Sequence, residues 1–121
     1  MSESLTKWER LRGRATIRDR FGQGSPVSCR GSKLLVSPNS LSWNRILLVP
    51  TRKYAGSVVR NRAKRVGREA FRREKARMKQ GFDLIWILYP GSDTLLERSN
   101  QLRILCKRAD LFSERAHTVK Q

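Results

Sequence analysis

Between Arg60 and Arg77 the chain sets nine basic side chains (Arg60, Arg62, Lys64, Arg65, Arg68, Arg72, Arg73, Lys75 and Arg77) against two acids, Glu69 and Glu74. At 100° per residue, Arg60, Lys64, Arg68 and Arg72 climb one line of a helix with Asn61 and Lys75 beside them, while Val59, Ala63, Val66 and Ala70 share another face. Like charges at that spacing repel, costing an isolated helix about 0.2–0.5 kcal/mol per pair. The stripe makes physical sense when a polyanion lies along it, and the free N–H groups at the helix start, around Arg60-Asn61-Arg62, add to a phosphate site. A merely solvated basic face is the bland alternative; the predominance of Arg and the shortage of compensating Glu weigh against it.

Bond-breaking chemistry has no comparable cluster. The one histidine, His117, lies near the C-terminus, Cys29 and Cys106 are far apart, and Asp83, Asp93 and Asp110 are scattered. A zinc site, a Cys/His pair and a two-metal nuclease centre all lack their parts, so no catalytic residue and no metal ligand is assigned to the protein. The cysteines read as small buried or half-buried side chains.

The whole chain supports the polyanion reading. Its 121 residues suffice for one domain, 1–121, with 1–14 as a basic arm and 113–121 as a polar tail. Lys and Arg number 27 against 10 Asp and Glu, a formal charge of +17, and hydrophobic residues at 38% are enough for a folded core. Nucleic acid is the leading partner. A membrane surface fits poorly, because the basic helix offers only small apolar residues, Val59, Ala63, Val66, Gly67 and Ala70, which suit close packing on a sheet. Gly67 costs about 1 kcal/mol against Ala in a helix interior, so a neighbour must approach closely there. Met1 to Arg20 holds no apolar run, and the longest, Leu84 to Tyr89, is far too short to span a bilayer. The expected compartment is the cytoplasm.

The elements that position the stripe follow from periodicity and punctuation. A short helix is expected near Ala15 to Phe21, stopped by Gly22 and Gly24, and strands over Lys33 to Ser37 and Arg45 to Thr51, with Pro50 placing the end of the second at an edge or beyond the pairing. The basic helix is expected from Ser57, its N-cap, to Met78. Phe82 to Tyr89 reads as a buried strand, and a last helix runs from Asp93, its N-cap, to Phe112, with Leu95, Leu102, Ala109, Leu105 and Phe112 on its inner stripe. The order is α-β-β-α-β-α. Trp86 and Phe71 read as core; Trp8 in the arm either stacks on a base or tucks onto its own domain.

Val58-Val59-Arg60-Asn61-Arg62-Ala63-Lys64-Arg65, continuing as Arg68-Glu69-Ala70-Phe71-Arg72, closely resembles the RNR signature of the protein subunit of bacterial ribonuclease P. The resemblance covers roughly Glu9 to Phe112, taking in Phe21 before a glycine-bounded loop, the strand running into Thr51-Arg52-Lys53, the Phe82-Asp83 strand ending in Tyr89-Pro90-Gly91, and the closing helix. It implies an α/β fold of the α+β type: a single-domain sandwich with a mixed sheet and a left-handed βαβ crossover, where the general rule for such crossovers would give a right-handed one. It also implies an endoribonuclease that works as a ribonucleoprotein in tRNA 5′ maturation. The RNA subunit with its bound magnesium is the catalyst, and the protein, inert alone and present once per RNA, holds ribonuclease P RNA and guides the 5′ leader of precursor tRNA. Carried over by residue, Arg60, Asn61, Arg62, Lys64, Arg65 and Arg68 become RNA contacts of the RNR helix, Arg72 continues its stripe, and Arg52 and Lys53 become basic residues at its entrance. Phe21 falls on an aromatic position lining the leader cleft, with a helix residue capping the core as the alternative. The chain departs from the family pattern at Ile17, where a Phe is common, and at Leu34, Leu35 and Val36, where aromatics are expected. Stacking of leader bases then rests on Phe21, with Trp43 the next candidate.

Two rivals stand beside this reading. A small ribosomal RNA scaffold would share the charge and size but has no reason for the full motif. A helix-turn-helix DNA reader is disfavoured because strands flank the basic helix.

Overall fold

In the computed structural model, residues 7–113 are described; the first part of the arm, most of the polar tail and His117 lie outside them. After a 3-10 turn at Lys7–Glu9 come α1 (Arg14–Gln23), β1 (Ser25–Cys29), β2 (Ser32–Pro38), β3 (Arg45–Pro50), α2 (Ser57–Glu74), β4 (Phe82–Leu88) and α3 (Leu95–Arg108). The four strands form one mixed sheet in the order β1-β2-β4-β3: β1, β2 and β4 pair antiparallel, and β3 pairs parallel to β4, the two being joined through α2.

Alternation along the strands gives the sheet two different faces. Leu34, Ile46, Leu48, Leu84, Trp86 and Leu88 point to one side and meet Ala63, Ala70 and Phe71 of α2 and Leu102, Leu105 and Cys106 of α3, forming the main core. The opposite face is ruled by rows that the register fixes: Ser37, Asp83 and Arg45; then Leu35, Ile85 and Leu47; then Lys33, Ile87 and Val49. Leu11 and Ile17 pack on the apolar part of that face, so the chain before β1 covers it only partly. Gly67 sits where α2 crosses the sheet; a methyl group there would come 2.8 Å from Leu48 Cδ2, which accounts for a glycine in mid-helix.

Several expectations shift. The sheet has a strand more than expected, β1, an edge strand whose Ser25-Pro26-Val27-Ser28-Cys29 lacks apolar alternation and carries a proline that only an edge tolerates. Ser57 does not cap α2: the Gly56 carbonyl takes the first helical bond, from the Arg60 N–H. Thr94, not Asp93, caps α3, its hydroxyl accepting from the Glu97 N–H. The basic helix becomes a 3-10 turn after Glu74, and buried Met78 bridges to Phe112. The last helix stops at Arg108 because Asp110 turns left-handed, at φ 57°, and the Leu111 N–H reaches back to the Cys106 carbonyl. Pro50 does lie at an edge, since β3 is the sheet's last strand. Trp86 and Phe71 are core, Cys106 is buried and Cys29 half-buried.

Candidate nucleic-acid interface

The buried face of α2 is rotated from the one periodicity suggested. Ala63, Gly67, Ala70, Phe71 and Glu74 are buried, whereas Val59 is exposed and Val66 half-buried. That rotation tips Arg60, Lys64 and Arg68 onto the flank of the helix, where all three are half-buried. Lys64 and Arg68 line a groove of about 300 Å³ whose floor is Leu11, Ile46, Leu47 and Leu48 and whose far wall is Arg10 and Arg12. The arm is held there as a strand would be: Arg10 bridges in parallel to Ile46, and the Leu11 N–H donates to the Ile46 carbonyl at 3.0 Å. Arg10 and Arg12 were not expected in the site; isolated arginines in an aperiodic arm carry no signal of where they go.

The electrostatics of the groove are one-sided. Among the described residues no carboxylate stands within ion-pair distance of Arg10, Arg12, Arg60, Lys64, Arg65 or Arg68. Burial, then the charges of Arg10 and Arg65, pull the Arg68 guanidinium below its ordinary value, and the Arg60 Nε is buried without a partner. Cations grouped in this way repel one another, and an anion lying along them would relieve that repulsion.

Arg72 differs from the rest of the stripe. Its Nε and Nη2 grip Glu69 at 3.0 and 2.6 Å, and Arg73 adds a third contact at 3.0 Å, so these hydrogen bonds hold the Glu69 carboxyl down at about 2. The shortage of compensating Glu therefore ends at Arg68. Asn61 and Arg65 face solvent; Arg62 points to the other flank, where it lines a separate hollow with Lys53, Tyr54, Asp93 and Glu97, and Arg52 is exposed nearby in the β3–α2 connection. The structure thus spreads the expected residues over two flanks of one helix, with Arg60, Lys64 and Arg68 on one side and Lys53 and Arg62 on the other.

Two fixed points hold this surface in place. Arg98, fully buried, donates from Nη1 to the Gly31 carbonyl and Gln101 Oε1, and from Nη2 to the Tyr54 hydroxyl, the Tyr89 carbonyl and Asp93 Oδ1. Tyr54 donates to Asp93 Oδ1 at 2.6 Å, and burial followed by that bond pushes its phenol up to about 12, so the connection bearing Arg52 and Lys53 is pinned to the turn before α3 by a proton that stays on. Asp83, on the other sheet face, accepts from Arg20 of α1 at 2.8 Å, from Arg45 twice at 2.7 Å, and from Asn39 at 2.9 Å. Arg20 precedes Phe21, so Asp83 anchors the helix that presents it. Phe21 is 44% exposed and belongs to neither core cluster, which disfavours the core-cap alternative; Ile17, one turn earlier, packs on the sheet.

No group of three or more His, Cys, Asp or Glu that could hold a metal occurs among the described residues, and the Asp83 carboxylate is taken up by Arg20 and Arg45. No described helix is long and apolar enough to cross a membrane.

A small α+β domain with a row of unpaired cations on one helix defines a protein that binds a polyanionic strand. Comparison with known proteins gives its kind: the ribonuclease P family pattern matches residues 5–110. A ribonuclease P protein component from Thermotoga petrophila is 36% identical over 87 residues, 72% of this chain and 74% of that one; another, from Syntrophus aciditrophicus, is 31% identical over 84% and 85%. The solved RNase P protein of Thermotoga maritima superposes with a TM-score of 0.74 at 29% identity, covering 83% of this chain and 96% of that one; that of Staphylococcus aureus gives 0.76 at 25%, covering 87% and 98%. The chain belongs to the bacterial ribonuclease P protein family. With that family come an RNA partner, a place in an endoribonuclease holoenzyme and a role in tRNA 5′ processing.

Proposed function

We propose that the chain holds ribonuclease P RNA through the groove between its arm and α2, and guides the 5′ leader of precursor tRNA along the partly covered sheet face beside α1. The observation that supports it is the pair Lys64 and Arg68, half-buried and without a carboxylate partner among the described residues, facing Arg10 and Arg12 across an apolar floor, with half-buried Arg60 one turn earlier on the same stripe. In this reading Asn61, Arg62 and Arg65 extend the RNA contacts, Arg52 and Lys53 add charge at the start of the helix, Arg72 contributes only as far as Glu69 releases it, and Phe21 meets the leader. Catalytic magnesium belongs to the RNA subunit, one protein serves one RNA, and the complex works in the cytoplasm.

Reconstitution with a bacterial ribonuclease P RNA at low magnesium tests the proposal. The assembled enzyme should bind leader-bearing precursor tRNA more tightly than mature tRNA. Phe21→Ala should weaken precursor binding by about 1 kcal/mol, the low end for a lost stack because Ile17 offers no second ring, with mature tRNA affinity and melting temperature unchanged. Cleavage by rigorously RNA-free protein, or equal affinity for the two tRNAs, would overturn it.

A further inference from the structure

Two aromatic side chains take no part in the α2 groove or the face beside α1. Trp8 is 66% exposed on the Lys7–Glu9 turn, and Trp43 is half-buried in the connection between β2 and β3. Trp43 Nε1 donates to the Trp8 carbonyl at 2.8 Å, which makes the two residues neighbours although 35 positions separate them. The chain just after that bond is tied down: Glu9 accepts from Lys75 after the end of α2 at 2.9 Å, and the Leu11 N–H donates to the Ile46 carbonyl of β3. The exposure of Trp8 therefore belongs to a pinned turn.

Around this pair lies a hollow of about 350 Å³, lined by Lys7, Trp8, Arg10, Arg12, Leu41, Trp43 and Arg45. A second, of about 320 Å³, is lined by the two indoles alone. Both fall at the small end of the range for ligand sites. Four cations and no carboxylate stand in the first lining. Arg45 is paired with Asp83, which also takes Arg20, and Arg20 pairs in turn with Asp19, so that group is neutral and the positive charge of the lining comes from Lys7, Arg10 and Arg12. Lys7 Nζ lies 5.6 Å from the Trp8 ring centroid. Arg10 and Arg12 line this hollow and the α2 groove alike, so the two form one continuous basic track.

We propose that Trp8 and Trp43 form a stacking site for a nucleotide of single-stranded RNA, with Lys7, Arg10, Arg12 and Arg45 placed for its phosphates. Flat indole surface beside a ring of cations is the chemistry that takes an unpaired base together with its backbone; duplex RNA offers no free base face. A lipid headgroup would use the cations but leave the indoles without an apolar helix face to insert beside them. The inference rests on the RNA-binding reading above. It adds a second stacking surface, apart from Phe21, to a chain short of aromatics on its sheet face.

Tryptophan fluorescence tests it directly, because the only other tryptophan, Trp86, is fully buried and reports little on a surface ligand. A short oligouridylate should quench the emission of the full chain, and anionic phospholipid vesicles or an RNA duplex of equal length should not. Trp8→Ala, at a side chain outside the core, should weaken oligouridylate binding roughly 5- to 100-fold with an unchanged melting temperature. Trp43→Phe, which keeps a ring but loses the bond to Trp8, should fall between the two. In the holoenzyme, a Trp8→Ala defect seen only with long-leader precursor tRNA assigns the base to the leader, and one seen in binding to the RNA subunit alone assigns it there. No quenching by oligouridylate, quenching by vesicles instead, or unchanged affinity of Trp8→Ala in all of these assays overturns the site. If the parent chain fails to bind ribonuclease P RNA at all, it is the broader reading that has failed.

Discussion

Arg98 and Arg68 are both arginines taken partly or wholly out of water, and they end in opposite states. Arg98 makes five hydrogen bonds from its two terminal nitrogens, to two carbonyls, an amide oxygen, a phenol and a carboxylate. Arg68 has no carboxylate partner among the described residues, and burial, then the charges of Arg10 and Arg65, hold it below its ordinary value. One guanidinium is enclosed by its own chain and staples the β3–α2 connection to α3. The other is held half-open over an apolar floor. Arg98 is tied into the fold by its terminal nitrogens, with Nε alone left without a partner, whereas Arg68 is the kind of cation on which the proposed RNA contact rests.

The largest expected effect lies on the closed side. Arg98→Met keeps most of the volume but strips Asp93, Tyr54 and two carbonyls of their donor, and should cost about 3–5 kcal/mol, as breaking buried pairs does. A melting temperature equal to that of the parent would erase the distinction drawn here. Asp83 gives a smaller effect of the same kind. Burial alone would raise its value, yet hydrogen bonds from Arg45, Arg20 and Asn39 outweigh it and leave the carboxyl below its ordinary value. A carboxylate depressed in the fold contributes its stability in full above the unfolded value, near pH 4, and loses it as pH falls through the folded one. Melting temperature should therefore drop below about pH 4, and Asp83→Asn should flatten part of that drop while costing about 1.5–3 kcal/mol at neutral pH. An acid limb identical in the two proteins would mean that other carboxylates carry it.

The same contrast explains what could be read from the sequence. The basic helix was legible because its charge and its small residues repeat at helical spacing, and Gly67 announced a close approach that Leu48 makes. Arg98 was not, since one arginine on an amphipathic helix reads as a solvated residue until Tyr54, Gly31 and Tyr89 arrive from distant parts of the chain. Asp83 looked like a scattered acid for the same reason: its partners are 38 to 63 residues away. Strand β1 was hidden because an edge strand with one half-buried Val and one half-buried Cys needs no apolar alternation. The cap of α3 is legible in the Thr94-x-x-Glu97 spacing, whereas Asp93, which also has a capping side chain, is engaged by Arg98 instead.

The smallest stability effect and the sharpest functional one are expected at Arg68. Removing a cation that only other cations approach takes away repulsion along with some side-chain packing, so Arg68→Ala should move stability by no more than about 0.5 kcal/mol in either direction. Its effect should appear in RNA binding, as a line of log affinity against log salt whose slope is shallower by roughly 0.7–0.9, the loss of one phosphate contact. Asn61→Ala is the matching neutral control: it should leave the slope alone and weaken assembly by about 1 kcal/mol. Both quantities can be measured on one preparation, by thermal unfolding and by equilibrium binding to ribonuclease P RNA over a range of salt. A slope unchanged by Arg68→Ala, together with a stability loss of about 2 kcal/mol or more, would make Arg68 a packing residue and put it on the same side of the comparison as Arg98.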